Sequence, residues 1–427
     1  MIKNPSIQFL GAAREVGRSG FLIDAGDKLL LDYGVKFGQN NQIVEPLRPK
    51  TNLDAIILSH AHLDHSGNIP KLFTDSNSLT YLTPPTLELS NLLWEDSLKI
   101  AGHNGVHAGF SRDELHRIHR YSFPVGYKRK LHITQDATLE FLDAGHILGS
   151  AMPKLTFGKN KTLLYTGDFN PMETRLHNGA DLKAGKIDSL IIESTYGNRN
   201  HPPRKELEKV FAEGVQDIID RDGWALIPCF AIGRGQEVID ILRSYNVEGD
   251  IFYDGMGQKA AHIMLNHPDY LRDSKHLKKS LKSAFFVRSI RDRKKALKKP
   301  CIIVSSAGMM QGGPILFYTR KLRLDSNSKM FFTGYQADGT IGKKLLDTKK
   351  FVEEKTQLDV GFEVEKYDFS AHAQKDGMLK AIDKWNPEKI FLVHGDEEIM
   401  FFFKDCIKEM GFKNVEMPKQ GQTMKLF

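Results

Sequence analysis

Cysteine is nearly absent. The 427 residues hold 3, Cys229, Cys301 and Cys406, far apart and with no paired spacing. Each lies in or beside an apolar run, which reads as buried free thiols in a reducing compartment and excludes a disulfide framework. Long hydrophobic runs are missing too: none approaches the ~20 residues that a bilayer-crossing helix needs. Residues 1–10 pass straight into a strand-like segment, SIQFLG, with no charged stretch leading an apolar one, so no secretory leader is expected. Together these absences predict a cytoplasmic protein with no membrane partner. Internal repeats, low-complexity tracts and long linkers are also not found.

What is present is the composition of an ordinary globular protein, 41% hydrophobic and 26% charged. The length suggests two or three domains at roughly 100–200 residues each, enough to bury a substantial core. The net charge of +7 suits a polyanionic partner without requiring one. Its distribution says more. Residues 275–299 (KHLKKSLKSAFFVRSIRDRKKALKK) contain eleven Lys or Arg and a single acid, Asp292. A solvated helical face and an electropositive approach surface are the two readings of that run.

The N-terminal part reads as short strands (SIQFLG, GFLIDAG, DKLLLDYG, LDAIILSH) punctuated by Gly, Asp or Asn. A helix-rich stretch follows over about 86–120, and strands resume with ATLEFLDAG, KLTFG, KTLLYTGD and SLIIESTYG. This pattern predicts sheet packed on sheet with helices outside. From about residue 198 strands alternate with amphipathic helices, as in RKELEKVFAEGVQDIIDRDG followed by WALIPCF, which argues for parallel α/β units. The block 198–339 is therefore expected to be a second α/β domain set between two parts of the first, 1–197 and 340–427. The closing FFFKDC reads as a core-facing helix in preference to an exposed patch, with a dimer contact as the other use of such an aromatic run.

The segment IILSHAHLDHSGNIP carries the clearest chemistry. His60, His62, Asp64 and His65 follow an apolar strand, and imidazole and carboxylate are donors suited to Zn²⁺. Such a polar cluster is costly without a metal. His146 (LEFLDAGHILGS) and Asp168 (LLYTGDFN) sit at further strand ends and match the gaps that this cluster needs. His103, His107, His116 and His119 form another local group, but no carboxylate pattern accompanies them and a helix surface is expected there.

In order, HAHLDH, GHILGS and TGDFN resemble the successive metal-binding motifs of the metallo-β-lactamase superfamily. Asp32 in LLLDYG matches that family's first motif, where an Asp supports the ligands instead of binding metal. ESTYG with Glu193, FSAHA with His372 and FLVHGDEE with His394 resemble the A, B and C motifs of the β-CASP ribonuclease branch. FAIGRGQE, SSAGMMQGGP and GYQADGTIGK look like the same branch, within which the nearest likeness is to the endonuclease subunit of the cleavage and polyadenylation specificity factor and its short archaeal and bacterial relatives. The resemblance covers essentially the whole chain. Some archaeal members carry N-terminal KH-type RNA-binding domains, whereas this sequence starts at the lactamase-like core, so any guidance of that kind is expected from elsewhere.

The resemblance implies an αββα metallo-β-lactamase sandwich with an inserted parallel α/β β-CASP domain. It implies a ribonuclease, endonuclease or 5′-3′ exonuclease, acting on single-stranded RNA. His60, His62 and His146 would hold one zinc, Asp64, His65 and His394 a second, and Asp168 would bridge them. Two such metals activate a hydroxide and clamp a phosphate, with 5′-phosphate and 3′-hydroxyl products expected. Asp64, Asp168, Asp32, His372 and Glu193 form the implied catalytic set, with His372 protonating the leaving oxygen and Glu193 orienting it. Arg234, Ser306, Gly308, Gly312 and Ser370 are the implied substrate contacts, since small residues after a strand let backbone N–H groups approach a phosphate. Nothing in this chemistry demands a ribose 2′-hydroxyl, so slower cutting of single-stranded DNA is also expected. A homodimer is compatible with the resemblance. The alternatives are a DNA nuclease of the same branch, a small-molecule hydrolase, which would need no inserted domain, and a non-catalytic scaffold subunit, which would be expected to lose ligands.

Overall fold

Short apolar strands from residues 6–193 and 389–425 build two sheets. The computed structural model describes residues 5–38, 42–158, 160–353 and 356–427; residues 1–4 of the segment read as leader-free lie outside them. By internal contacts the chain divides into two compact units, Met1–Asn200 with Ala371–Phe427, and His201–Ser370.

In the first unit, one seven-stranded sheet runs in the spatial order Thr423–Lys425, Ser6–Phe9, Phe21–Ala25, Asp27–Leu31, Ala55–Ile57, Leu79–Leu82, Ser122–Pro124. The other runs Val415–Glu416, Lys389–Val393, Ser189–Glu193, Lys161–Tyr165, Ala151–Phe157, Ala137–Asp143, Lys130–His132. Phe9, Phe21 and Ile57 of the first sheet and Phe141, Tyr165 and Phe391 of the second share one core. The opposite faces bury against helices. Leu30, Ile56 and Leu58 meet Trp94 of the helix Pro84–His103 and Ile118 of Arg112–Tyr121. Leu164, Leu190 and Ile192 meet Trp385 of Lys375–Trp385 and Phe403 of Glu397–Glu409. Strands covered on both sides read as continuous apolar runs, which is why LLY and LIIE show no polar alternation. The result is the αββα sandwich that the resemblance implied.

The second unit is built on one all-parallel sheet, ordered Ala284–Phe286, Ile251–Asp254, Ile302–Ser305, Ala225–Pro228, Lys329–Phe332, Glu363–Lys366. Its leading helix, Arg204–Asp220, buries Phe211, Val215 and Ile218 at helical spacing.

Two expectations need correction. The return to the first domain was placed at 340, but 340–370 stay with the second unit, because Glu363–Lys366 pairs in parallel with Lys329–Phe332. The FFFKDC segment is also not wholly core-facing: Phe403 is buried, whereas Phe401 and Phe402 are 51% and 47% exposed, with Arg14 and Lys375 over their rings. Cys229 and Cys301 are buried free thiols and Cys406 is half-buried. No helix among the described residues is long and apolar enough to cross a membrane.

Candidate metal centre

The first unit brings its chemistry-bearing side chains together at strand ends. His60 follows the strand Ala55–Ile57, His146 follows Ala137–Asp143, Asp168 follows Lys161–Tyr165 and His394 follows Lys389–Val393 directly. After His60 the chain winds into a single helical turn, Leu63–Ser66, with His65 and Ser66 N–H groups donating to His62 O. That turn places Asp64 and His65 beside a different point from His60 and His62. Gly34 makes room for it: a Cβ there would sit 1.8 Å from the Asp64 carbonyl oxygen. Asp32 and His394 adopt left-handed φ values of 53° and 50°, a conformation that costs a non-glycine residue about 1–3 kcal/mol.

Two groups of four donors result, His60, His62, His146 and Asp168, and Asp64, His65, Asp168 and His394, with a third of three, Asp168, Glu193 and His372; in each the ligand atoms all lie within 4.8 Å of one another. Asp168 belongs to all of them. Its Oδ2 is 3.5 Å from His60 Nε2 and 3.7 Å from His146 Nε2. Its Oδ1 is 3.3 Å from His65 Nε2 and 3.5 Å from His394 Nδ1. Asp64 Oδ2 completes the second group at 3.3 Å from His394 Nε2.

The surroundings set the tautomers. His65 Nδ1 donates to Asp32 Oδ2 at 2.7 Å. Ser59 Oγ donates to the same carboxylate at 2.7 Å and so accepts from His60 Nδ1 at 3.0 Å. His146 Nδ1 donates to Ala371 O at 2.8 Å. All three rings are thereby oriented to offer Nε2 to a metal ion. Tyr165 Oη also donates to Asp32 Oδ2, at 2.7 Å, and Thr195 Oγ1 lies 3.2 Å from His394 Nδ1. Sequence reasoning missed Ser59, Tyr165 and Thr195. Their only signal is position, each one to three residues from a motif residue.

Electrostatics divides the histidines. Burial, then neighbouring imidazoles, holds His60 and His146 well below the usual range, and burial lowers His62. Burial also disfavours protonated His65 and His394, but Asp168 and Asp64 outweigh it and draw protons onto both rings. A divalent cation meets the same demand. The donor set fits one on a second observation: His60 Nε2 and Asp168 Oδ1 are buried without a hydrogen-bond partner, a costly state for polar atoms that a metal ion relieves.

His372 lies at the rim, 22% exposed, its Nδ1 2.9 Å from Glu193 Oε2 and its Nε2 3.9 Å from Asp168 Oδ2. Glu193 Oε1 is fixed by the Phe169 N–H at 2.8 Å. Burial lowers the His372 pKa, but Glu193 and Asp168 prevail and raise it to about 9.

The residues expected to contact substrate, Arg234, Ser306, Gly308, Gly312 and Ser370, all belong to the second unit. Ser306, Gly312 and Ser370 are half-buried, and Gly308 is buried with its carbonyl accepting from Gln336 Nε2. Arg234 is 8% exposed, with its guanidinium on Glu237 and the Phe369 carbonyl, a structural use that its motif did not disclose. His103, His107, His116 and His119 are exposed and join no metal-capable group among the described residues.

Comparison with known proteins agrees along the chain. The Beta-Casp domain profile matches residues 236–345, that of the Zn-dependent metallo-hydrolase RNA specificity domain matches 357–418, and that of the Anti-Pycsar protein Apyc1 matches 7–207. "Probable RNase MJ4" of Methanocaldococcus jannaschii is 38% identical over 98% of this chain and 100% of its own. "RNase aCSPSF2" of Saccharolobus solfataricus is 34% identical over 99% of this chain and 86% of its own. "Transcription termination factor FttA" of M. jannaschii is 33% identical over 98% of this chain and 71% of its own. A crystal structure of a protein of unknown function from Enterococcus faecalis V583 shares the fold, with a TM-score of 0.60 at 12% identity over 99% of both chains.

Proposed function

The chain belongs to the β-CASP ribonuclease family of the metallo-β-lactamase superfamily, and on that premise we propose that it hydrolyses phosphodiester bonds of single-stranded RNA with a pair of zinc ions. The observation that carries the proposal is Asp168, whose two carboxylate oxygens face two different groups of donors. His60, His62 and His146 would hold one ion, Asp64, His65 and His394 the other, with Asp168 offered to both groups. Zinc there would supply Lewis acidity for water activation and charge neutralisation at the scissile phosphate.

The protein's own groups do the rest. Asp32 fixes His65 directly and His60 through Ser59, so that both rings present Nε2. Glu193 accepts from His372 Nδ1 and leaves Nε2 at the rim, where it delivers a proton to the leaving 3′ oxygen; the other product carries the 5′-phosphate. The unit His201–Ser370 is the β-CASP domain, and the small residues Ser306, Gly308 and Gly312, with Ser370, contact backbone phosphates. Single-stranded DNA is cut more slowly by the same route, and the protein acts in the cytoplasm.

Digestion of an unstructured, 5′-labelled RNA, with Asp64→Ala alongside, tests this reading. Wild type yields labelled fragments and the variant none. Immediate release of labelled mononucleotide marks 5′ exonuclease action, and longer fragments mark internal cutting. RNA left intact by a zinc-loaded sample overturns the proposal.

A further inference from the structure

The parallel sheet of the second unit ends at the strand Ala284–Phe286, whose outer edge has no strand partner among the described residues. Beside it lies a groove of about 730 Å³, lined among others by Lys278 and Lys282 of the helix Ser274–Lys282, by His262, by Phe285 and Phe286, and by Arg288. Phe285 is 39% exposed, flanked by the Phe252 ring of the neighbouring strand at 5.2 Å between centroids, with Lys295 Nζ 4.8 Å from its own centroid. Of the other basic side chains in the run 275–299, Arg293 pairs with Asp254 and Lys299 with Asp250. Lys278, Lys282 and Arg288 are exposed and have no ion pair among the described residues. The one acid of the run, Asp292, also lines the groove, where it is engaged as a cap, accepting from the Arg288 N–H and from Ser289 Oγ.

We propose that this groove is a holding site for single-stranded RNA within the second unit, with a base stacked on Phe285 and the flanking phosphates on Lys278, Lys282 and Arg288. The inference rests on the reading of the chain as an RNA-acting enzyme. The residue chemistry selects the occupant. Exposed cations alone suit any polyanion, but an exposed ring with a lysine over it and further cations along the same groove matches a nucleotide, which offers a π-face and a phosphate together. A base arriving on Phe285 displaces the flexible Lys295 ammonium toward the neighbouring phosphate. An unpaired sheet edge adds free backbone donors and acceptors.

The test is fluorescence anisotropy of 5′-labelled oligo(U) of about 20 nucleotides on zinc-loaded protein in the slow-cutting His372→Ala background, across a potassium chloride series. Lys278→Glu/Lys282→Glu/Arg288→Glu is expected to weaken binding about tenfold or more and to flatten the salt dependence by about two units of slope, since each phosphate contact contributes about 0.7 for single strands. Phe285→Ala is expected to weaken binding by about 5- to 100-fold at unchanged slope, with affinity restored by Phe285→Trp. Thermal melting checks that the variants fold. Any of three results overturns the proposal: wild-type affinity in the triple variant, an equal loss in the charge-matched control Lys408→Glu/Lys413→Glu/Lys419→Glu, or displacement of RNA by oligo-glutamate as strongly as by oligo(U). Cleavage of a short oligonucleotide, measured in parallel, keeps the two readings apart. Binding without cutting by wild type defeats the nuclease reading alone, and cutting with normal binding by the triple variant defeats the groove alone.

Discussion

At the scale of single residues, Asp168 is the side chain that both donor groups share, so its replacement reaches further than loss of any one imidazole. Asn at this position keeps one oxygen but turns an amide NH₂ toward the other group. Asp168→Asn is expected to lower bound zinc per chain, read by elemental analysis, and to abolish RNA cleavage. His372→Ala should behave differently: zinc content stays at the wild-type value while the cleavage rate at saturating RNA falls about 10²- to 10⁴-fold, the usual contribution of a positioned proton donor. Equal zinc loss in both variants would sink the assignment of His372 to proton transfer. Tyr165→Phe removes a hydrogen bond to Asp32, which itself holds His65, and should weaken zinc about 10- to 100-fold as read by chelator competition.

At the scale of elements, strand starts and strand ends have separate duties. Asp188, just before the strand Ser189–Glu193, accepts from Lys161 Nζ at 3.0 Å and from the Thr162 N–H and Oγ1 at 2.8 Å each, tying that strand to its parallel neighbour. Burial raises its pKa, but these donors prevail and hold it at about 2. A depressed carboxylate contributes stability above the unfolded value near 3.9 and loses it as pH falls through the folded one. Asp188→Asn is therefore expected to cost about 2 kcal/mol at neutral pH, with the gap to wild type closing between about pH 5 and pH 2 in urea melts with chelator present. A pH-independent gap would contradict it. The strand-end chemistry was legible in the sequence because local spacing dictates it: HAHLDH falls within six consecutive residues after a strand, and GHILGS and TGDFN each close an apolar run. What was not legible depends on pairing between distant residues. The run 363–366 looks like a strand of either domain until it pairs with 329–332. Tyr165 reaches Asp32 across 133 positions, and Arg234 finds Phe369 across 135. FFFKDC contains enough apolar residues for a buried face, but only Phe403 falls on the buried side of its helix.

At the scale of the molecule, all seven expected ligands come from residues 60–168 and 394, within the unit formed by Met1–Asn200 and Ala371–Phe427. Zinc binding is then linked to the folding of that unit, because the ligands converge only when its strand ends are in place. A ligand that binds the folded form alone stabilises it by about 2.7 kcal/mol at a free concentration one hundred times its dissociation constant. Removing zinc should therefore lower stability by at least that order at higher occupancies, and it should do so unevenly along the chain. Hydrogen exchange read peptide by peptide, before and after chelation, is expected to show its largest loss of protection over 57–68, 143–148, 165–170 and 391–396. The second unit has its own core, formed by Ile303, Met330, Phe332 and Tyr318, and contributes none of these donors. Its sheet should change least. Uniform loss of protection across both units would mean that metal stabilises the chain as one cooperative body, and would contradict a zinc site that belongs to the first unit alone.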